Sequence, residues 1–354
     1  MTPKKVLLPQ PIESEALLML EEAGIEIVSS PDPSPETVGP LLYGVQGMIL
    51  RTGIKITRAL LSQADDLWVI SRTGGGLDNV DVDAATEQEI VVTSNVGVNT
   101  RSVVEHVLAF MLSLSKQLPM MDREVRDGNF SIRYQNLPGD VRGKTLGVIG
   151  FGRIGSELGR LCHQTFGMKV LAFDPFLPKE VKETYGDWVR FPDMQGLFSN
   201  SDVISIHVPL TEQTRDMVGE RELSWMKATA ILINTSRGSL INEQALFHAL
   251  WDKKIAGAGL DVFSLEPVPA DSPLLDLDNI LLTPHSAALT SECVIRMATE
   301  AVQCVIDLFV GMEPKNVANR QVLAFDRWKH LSRQSENRGK ERFSPVRLKS
   351  ALSL

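Results

Sequence analysis

The chain is predicted to be an α/β protein built from two doubly wound, parallel-sheet domains, one inserted into the other. Three observations carry this reading. Short apolar strands alternate with amphipathic helices along most of the 354 residues. One of those strands, 146–149, breaks into GFGRIG at 150–155 and continues as a helical pattern. Two long helical patterns, 101–118 and 291–310, bracket the second set of alternations. The chain therefore leaves a first domain, builds a second, and returns. The expected boundaries are 1–100 with 287–319 for the outer, discontinuous domain, 101–286 for the inserted one, and 320–354 for a basic tail.

In the outer domain, strands are expected at 6–8, 25–28, 48–50, 67–70 and 90–93, each an apolar run of strand length. Helices fill the intervals at 14–23, 36–43, 57–64 and 83–88, the first stopped by Gly24 and the second preceded by the proline-rich loop 31–35. A glycine loop, Gly74, Gly75 and Gly76, follows the fourth strand. The helix at 101–118 carries Val103, Val107, Phe110, Met111 and Leu114 on one stripe. Residues 120–142 are mixed in charge and aromatic content and read as an irregular arm. The inserted domain then supplies six strands, at 146–149, 169–173, 202–208, 230–234, 257–262 and 280–282. From residue 320 onward nine Lys/Arg face three acids, and apolar periodicity fades after Leu331. A solvated extension is the expectation there.

Composition narrows the class. A hydrophobic content of 43% with 23% charged residues is ordinary for a globular protein. The net charge of −8 gives no reason to expect nucleic acid as a partner. No run of 18 apolar residues points to a membrane span, and the N-terminal apolar run is too short for a signal peptide. Cys162, Cys293 and Cys304 are widely spaced and match no metal-ligand pattern. Reduced core cysteines in a cytoplasmic protein are the expectation, with no metal site.

The glycines of GFGRIG each have a physical reason. Gly150 permits the tight strand-to-helix turn, Gly152 lets a pyrophosphate approach bare backbone, and Gly155 lets the helix pack closely on the strand. Free N–H groups at the helix start then face the phosphates. Asp174, at the end of the next strand and about 20 residues on, stands where a carboxylate takes the ribose hydroxyls of a dinucleotide. Pro175 follows it with no adjacent Arg for a 2′-phosphate, which favours NAD over NADP.

Ligands of open α/β sheets lie past the carboxyl ends of the strands. Arg237, Glu266 and His285 follow three successive predicted strands there. Their types suit hydride transfer between an alcohol and a nicotinamide. A His can take the hydroxyl proton near neutrality, a carboxylate on its other nitrogen fixes the tautomer, and a guanidinium holds a carboxylate in a planar fork.

With these residues in place the chain resembles the D-isomer-specific 2-hydroxyacid dehydrogenases over about residues 5–318. The matching stretches are GGGLDNVD (74–81), GFGRIG (150–155), HVPL (207–210), NTSRG (234–238), GLDVF (259–263) and TPHSAA (283–288). The resemblance implies a Rossmann NAD-binding domain inserted into a flavodoxin-like substrate domain, with the active site in the cleft between them. It implies Arg237 as substrate anchor, His285 as acid/base and Glu266 as its partner. It also implies Asp174 on the ribose, Arg153 and Ile154 at the pyrophosphate, Pro209 and Thr235 on the cofactor, and Asp261 on the nicotinamide carboxamide. Backbone N–H groups of Gly74, Gly75 and Gly76 would hold the substrate carboxylate. A homodimer built on the arm at 101–142 is a further implication. Ala288 departs from the glycine usual in the family, and Glu266 argues against the related formate dehydrogenases, which carry Gln there.

Within the family, Arg51 in RTGIKIT (51–57), Arg72 before the glycine loop and Arg133 in the arm resemble the 3-phosphoglycerate dehydrogenase branch, in a short form with no room for a regulatory C-terminal domain. An arginine cluster suits a phosphate. The expected reaction is oxidation of D-3-phosphoglycerate to 3-phosphohydroxypyruvate. Glyoxylate or hydroxypyruvate reduction is the alternative substrate reading. An NAD-sensing scaffold like the C-terminal-binding corepressors is the alternative of a different class. Of the other histidines, His106 is expected to be structural, and His207 ends a strand with no carboxylate partner apparent.

Overall fold

A computed structural model describes residues 3–331 of the chain. The chain divides into two compact units, Met1–Asn99 with Ser291–Leu354, and Thr100–Thr290.

The first unit holds five strands, β1 (Lys5–Leu8), β2 (Glu26–Ser29), β3 (Gly47–Leu50), β4 (Val69–Arg72) and β5 (Val91–Ser94). All pair in parallel, in the order β2-β1-β3-β4-β5. This is the flavodoxin-like order. Alternation along β1 decides the two layers. Val6 and Leu8 join one core with the helices Ser14–Glu22 and Ser291–Phe309, while Leu7 joins another with Val38, Leu42 and Leu60. Local chemistry starts the helices on that second face. The side chains of Ser34, Thr57 and Asp81 each accept a backbone N–H from the first turn that follows.

The second unit carries seven parallel strands, β6 (Thr145–Ile149), β7 (Lys169–Phe173), β8 (Val189–Arg190), β9 (Val203–Ile206), β10 (Ile231–Asn234), β11 (Gly257–Leu260) and β12 (Ile280–Leu282). Their order is β12-β11-β10-β9-β6-β7-β8, with the order reversing between β6 and β9. The expected six-stranded sheet is corrected to seven. β8 is an edge strand of two residues, too short to show any alternation. The helix after the glycine motif spans Arg153–Phe166, so Gly155 lies inside its first turn.

Two further expectations are corrected. The stretch 120–142 is not irregular throughout. The long helix stops at Ser115, Gln117 turns left-handed at φ 53°, and a new helix runs Leu118–Arg126 with Pro119 in its first turn. That helix buries none of its own residues, although Leu118, Met121 and Val125 recur at helical spacing along it. A short helical turn, Ile132–Gln135, follows.

The tail is also different. Residues 320–331 pack onto the first unit rather than extending into solvent: Val322, Leu323, Trp328 and Leu331 are all buried. Trp328 donates its indole N–H to the Glu89 carbonyl at 2.7 Å and meets Trp68 edge-on at 6.3 Å between ring centres. Arg327 lies over both rings and 3.6 Å from Asp66. The basic remainder of the predicted tail, 332–354, lies outside the described residues. Just before this segment, Asn319 accepts the Val92 N–H and donates to the Ile90 carbonyl, covering the open edge of β5.

Trp328→Ala should destabilise the protein by about 3–5 kcal/mol, as for other fully buried large aromatics. Urea denaturation measures it directly. A loss under about 1 kcal/mol would mean that 320–331 contributes little to the first unit.

Candidate active site

The glycine motif has the close contacts its sequence implies. Gly150 sits at φ +87°, and a Cβ there would stand 2.6 Å from the His207 carbonyl oxygen. A Cβ on Gly155 would lie 2.2 Å from the Gly150 carbonyl oxygen, which is why the helix can approach the strand. Gly152 is the opposite case: a Cβ would meet nothing within 4 Å, so open space faces the backbone at the helix start. Arg153 is exposed beside it and Ile154 half-buried.

Asp174, at the end of β7, ties this loop to its own. One carboxylate oxygen accepts the Phe151 N–H at 2.9 Å. The other accepts the N–H groups of Phe176 and Leu177 at 3.0 and 3.1 Å. The carboxylate thus stands fixed beside the glycine motif.

Next to it, two polar atoms at the ends of β9 and β10 are buried with no partner: Nδ1 of His207 and Oγ1 of Thr235. Ile206 and Asn234 are register partners, so the two residues that follow are level across the sheet. Buried polar atoms are seldom left unpaired without a reason. With the bare backbone at Gly152, these orphans fit a dinucleotide along this edge. Pro209 follows on the same loop, exposed, its carbonyl accepting from Thr214.

Three adjacent strand ends carry the Arg, the Glu and the His. Asn234, the last residue of β10, donates to the Arg237 carbonyl at 2.8 Å and accepts the Ser236 N–H at 3.0 Å, shaping the turn that presents Arg237. The guanidinium donates to the Ser236 carbonyl at 2.6 Å. Gly238 then presses against the loop after β11: a Cβ would be 1.8 Å from the Phe263 carbonyl carbon. Only glycine permits that approach, and it brings the Arg237 turn against the loop that holds Glu266.

Glu266 accepts the Phe263 N–H through Oε1 at 3.0 Å and engages His285 Nδ1 through Oε2 at 2.8 Å. An ionised carboxylate can only accept, so Nδ1 carries the proton and Nε2 is left to exchange one. The two side chains remain 36% and 41% exposed, open to a substrate.

His285 is itself in the left-handed region at φ 52°. That conformation costs an L-residue roughly 1–2 kcal/mol. Asp261 holds it there. The Asp261 carbonyl accepts the His285 N–H at 2.7 Å. The carboxylate, 1% exposed, accepts the hydroxyl of Thr283 at 2.6 Å and the N–H groups of Ser286 and Ala287 at 2.8 and 2.9 Å. Sequence reasoning marked Asp261 only through family resemblance and missed this role. The roles of Asn234 and Gly238 were also missed, although both lie within the NTSRG stretch.

Arg51, Arg72 and the glycine loop, expected on the substrate, lie in the first unit. Arg51 pairs with Glu13 at 3.1 Å and donates to the Pro11 carbonyl at 3.2 Å. Arg72 is buried at the end of β4, donates Nε–H to Asn79 at 3.1 Å, and lies directly across Gly74, where a Cβ would meet its guanidinium at 1.9 Å. Gly74 is buried, Gly75 exposed and Gly76 half-buried. Arg133, in the second unit, stacks over Phe130 and Tyr134.

The three cysteines are buried and form no disulfide, and burial pushes the Cys162 thiol up to about 12. No helix among the described residues is long and apolar enough to cross a membrane.

Burial also pushes the His207 imidazole down to about 3. In the unfolded chain that ring gains a proton below about pH 6.5, while in the fold it stays neutral. Stability should therefore fall as pH drops from 6.5 toward 3, by up to about 1.4 kcal/mol per pH unit for this one group. Urea midpoints at pH 7, 6 and 5 should show His207→Leu gaining on the wild type by that slope. Parallel curves for the two proteins would show that the folded imidazole titrates normally.

Comparison with known proteins agrees with this architecture. The family model described as "D-isomer specific 2-hydroxyacid dehydrogenase, NAD binding domain" matches residues 108–287. A D-3-phosphoglycerate dehydrogenase of Archaeoglobus fulgidus is 36% identical over 89% of this chain and 59% of its own length. The chain thus spans about three fifths of that relative. A glyoxylate reductase of Aeropyrum pernix is 35% identical over 90% of this chain and 97% of its own length. The crystal structure of a D-lactate dehydrogenase from Aquifex aeolicus, complexed with NAD and lactic acid, superposes with a TM-score of 0.77. It is 31% identical and covers 87% of this chain and 96% of the other. Fold, site and sequence together place the chain in the D-isomer-specific 2-hydroxyacid dehydrogenase family.

Proposed function

We propose that the protein interconverts a D-2-hydroxy acid and its 2-keto acid with NAD. The single observation that carries this is the His285–Glu266 pair at 2.8 Å, set on a strained turn at the sheet edge that also bears Arg237 and the glycine motif. Bound NAD supplies the hydride acceptor. In the oxidative direction Nε2 of His285 takes the hydroxyl proton, and Glu266 on Nδ1 stabilises the imidazolium that results. Arg237 holds the substrate carboxylate and polarises the oxygen at C2. Asp174, followed in the sequence by Pro175 and not by an Arg, supports NAD over NADP through the ribose hydroxyls. Arg153 and Ile154 at the pyrophosphate, Pro209 and Thr235 along the cofactor, and Gly74, Gly75 and Gly76 on the substrate carboxylate complete the reading.

For the substrate, D-3-phosphoglycerate comes first. The Archaeoglobus relative carries that name, and Arg51 and Arg72 offer the charge a phosphate needs. Glyoxylate or hydroxypyruvate is the second reading. It is favoured by the near full-length match to the Aeropyrum glyoxylate reductase and by the pairing of Arg51 with Glu13.

A homodimer built on the arm belongs to the same proposal. The helix Leu118–Arg126 buries none of its residues, and Leu118, Val125, Phe130, Tyr134 and Leu137 stand exposed along the segment. The cytoplasm is the proposed location, in keeping with three cysteines outside any disulfide.

NADH oxidation should occur with at least one of glyoxylate, hydroxypyruvate and 3-phosphohydroxypyruvate, and His285→Ala should lower kcat by about 10²–10⁴. No turnover with any of them would favour an NAD-sensing scaffold instead. Arg51→Ala and Arg72→Ala separate the substrates. On the phosphate reading the double variant raises KM for 3-phosphoglycerate at least about tenfold, a single charge-assisted contact being worth that much, and leaves glycerate unchanged. An unchanged KM for the phosphorylated acid would leave the glyoxylate reading in place.

A further inference from the structure

The turn that carries His285 is held by a chain of hydrogen bonds that continues away from the reacting atoms. Oγ1 of Thr283 donates to Asp261 Oδ1 at 2.6 Å. The same Oγ1 lies 2.9 Å from Nε2 of His106, on the helix Thr100–Ser115. A threonine hydroxyl has one proton to give. It is committed to a carboxylate oxygen that already accepts the Ser286 N–H and has none to return. The oxygen of Thr283 can therefore only accept from His106, which fixes the proton on Nε2.

The ring is held for this task. His106 meets Phe110, one helical turn later, edge-on at 4.6 Å between ring centres. Phe110 in turn fills the space above Gly259 of β11, where a Cβ would stand 2.8 Å from its ring. A second contact, 3.3 Å between the hydroxyls of Ser102 and Thr290, ties the first turn of that helix to the far end of the His285 loop. Nε2 of His106 is also 3.9 Å from Asp261 Oδ1, so its positive edge faces the buried carboxylate.

We infer that His106 is a positioning residue for His285. By donating Nε2–H to Thr283 it forces the threonine proton onto Asp261. It thereby holds the carboxylate in the orientation that clamps the Ser286 and Ala287 N–H groups and keeps His285 left-handed. This rests on the reading of His285 as the acid/base. His106 has no part in binding substrate or cofactor. Its removal should let the imidazole leave the geometry in which Nε2 meets the substrate hydroxyl, lowering turnover and not affinity.

Two substitutions separate this from simple packing. His106→Phe keeps the ring and loses the donor, whereas His106→Gln loses the ring and keeps an N–H near the same place. The donor role expects kcat to fall ten- to a hundredfold in His106→Phe, with the keto-acid KM and the NADH dissociation constant within about twofold of wild type. It expects His106→Gln to recover kcat to within about threefold. A packing role gives the reverse order and would overturn the inference. Histidine-selective 15N NMR supplies a readout that needs no turnover. His106 should appear as the Nε2–H tautomer, and His106→Phe should shift the His285 ring signals while leaving those of His163 and His248 in place. An Nδ1–H tautomer at His106, or unmoved His285 signals, would sink it. Absence of keto-acid-dependent NADH oxidation in the wild type would sink the dehydrogenase reading instead, with the tautomer measurement still deciding the role of His106.

Discussion

Every strand of the seven-stranded sheet runs in the same direction, so all its carboxyl ends, and the loops after them, are delivered to one edge. That constraint lets Asp174, Arg237, Glu266 and His285, more than a hundred residues apart at the extremes, share a single rim. The loops must then fit against one another. Gly150 and Gly155 let the fingerprint turn fold onto β6 and against the end of β9, and Gly238 lets the Arg237 turn touch the loop after β11. At each, a single added carbon would collide with backbone, which cannot step aside as the end of a side chain can.

Two carboxylates use the same device to shape that rim. Asp174 at the end of β7 and Asp261 just past β11 each gather three donors onto one carboxylate. At Asp174 all three are backbone N–H groups, and the result joins two loops beside the cofactor edge. At Asp261 one donor is a hydroxyl, so the cluster can be extended through Thr283 to His106. A buried carboxylate without its donors would be costly, and removing any one donor weakens the case for the others. Such a cluster therefore holds the loop in one arrangement, including the left-handed His285 that no local preference would select.

The first unit depends on chain that returns after the second is complete. The helix Ser291–Phe309 covers one face of its sheet, Asn319 closes the β5 edge, and Trp328 seals the corner beside Trp68. None of these contacts can form until nearly two hundred residues of the second unit have been passed, because that unit spans Thr100–Thr290. Loop-closure entropy grows only slowly with length, so the insertion is tolerated once the inserted segment folds compactly by itself.

The sequence alone determined what depends on local order. Strand and helix type followed from apolar periodicity, the nucleotide edge from glycines between a strand and a helix, and the Arg–Glu–His set from its position after three successive strands. Family resemblance named the same three residues. What only the tertiary structure decided are the matters of partner and proximity. β8 is two residues long and exists because β7 offers it an edge. The helix Leu118–Arg126 is separated from the one before it by the left-handed Gln117, and the packing of 320–331 is invisible until Trp68 and Glu89 are there to receive Trp328. Arg51 and Arg72 carry the same charge in the sequence whether they meet a phosphate or a protein group, and the fold supplies Glu13 to one and Asn79 to the other. His106 reads as a structural helix residue until Thr283 comes within 2.9 Å. A hydrogen bond between residues 177 positions apart leaves no periodic trace in the chain, because its geometry is set by how two elements pack and not by either one's own preferences.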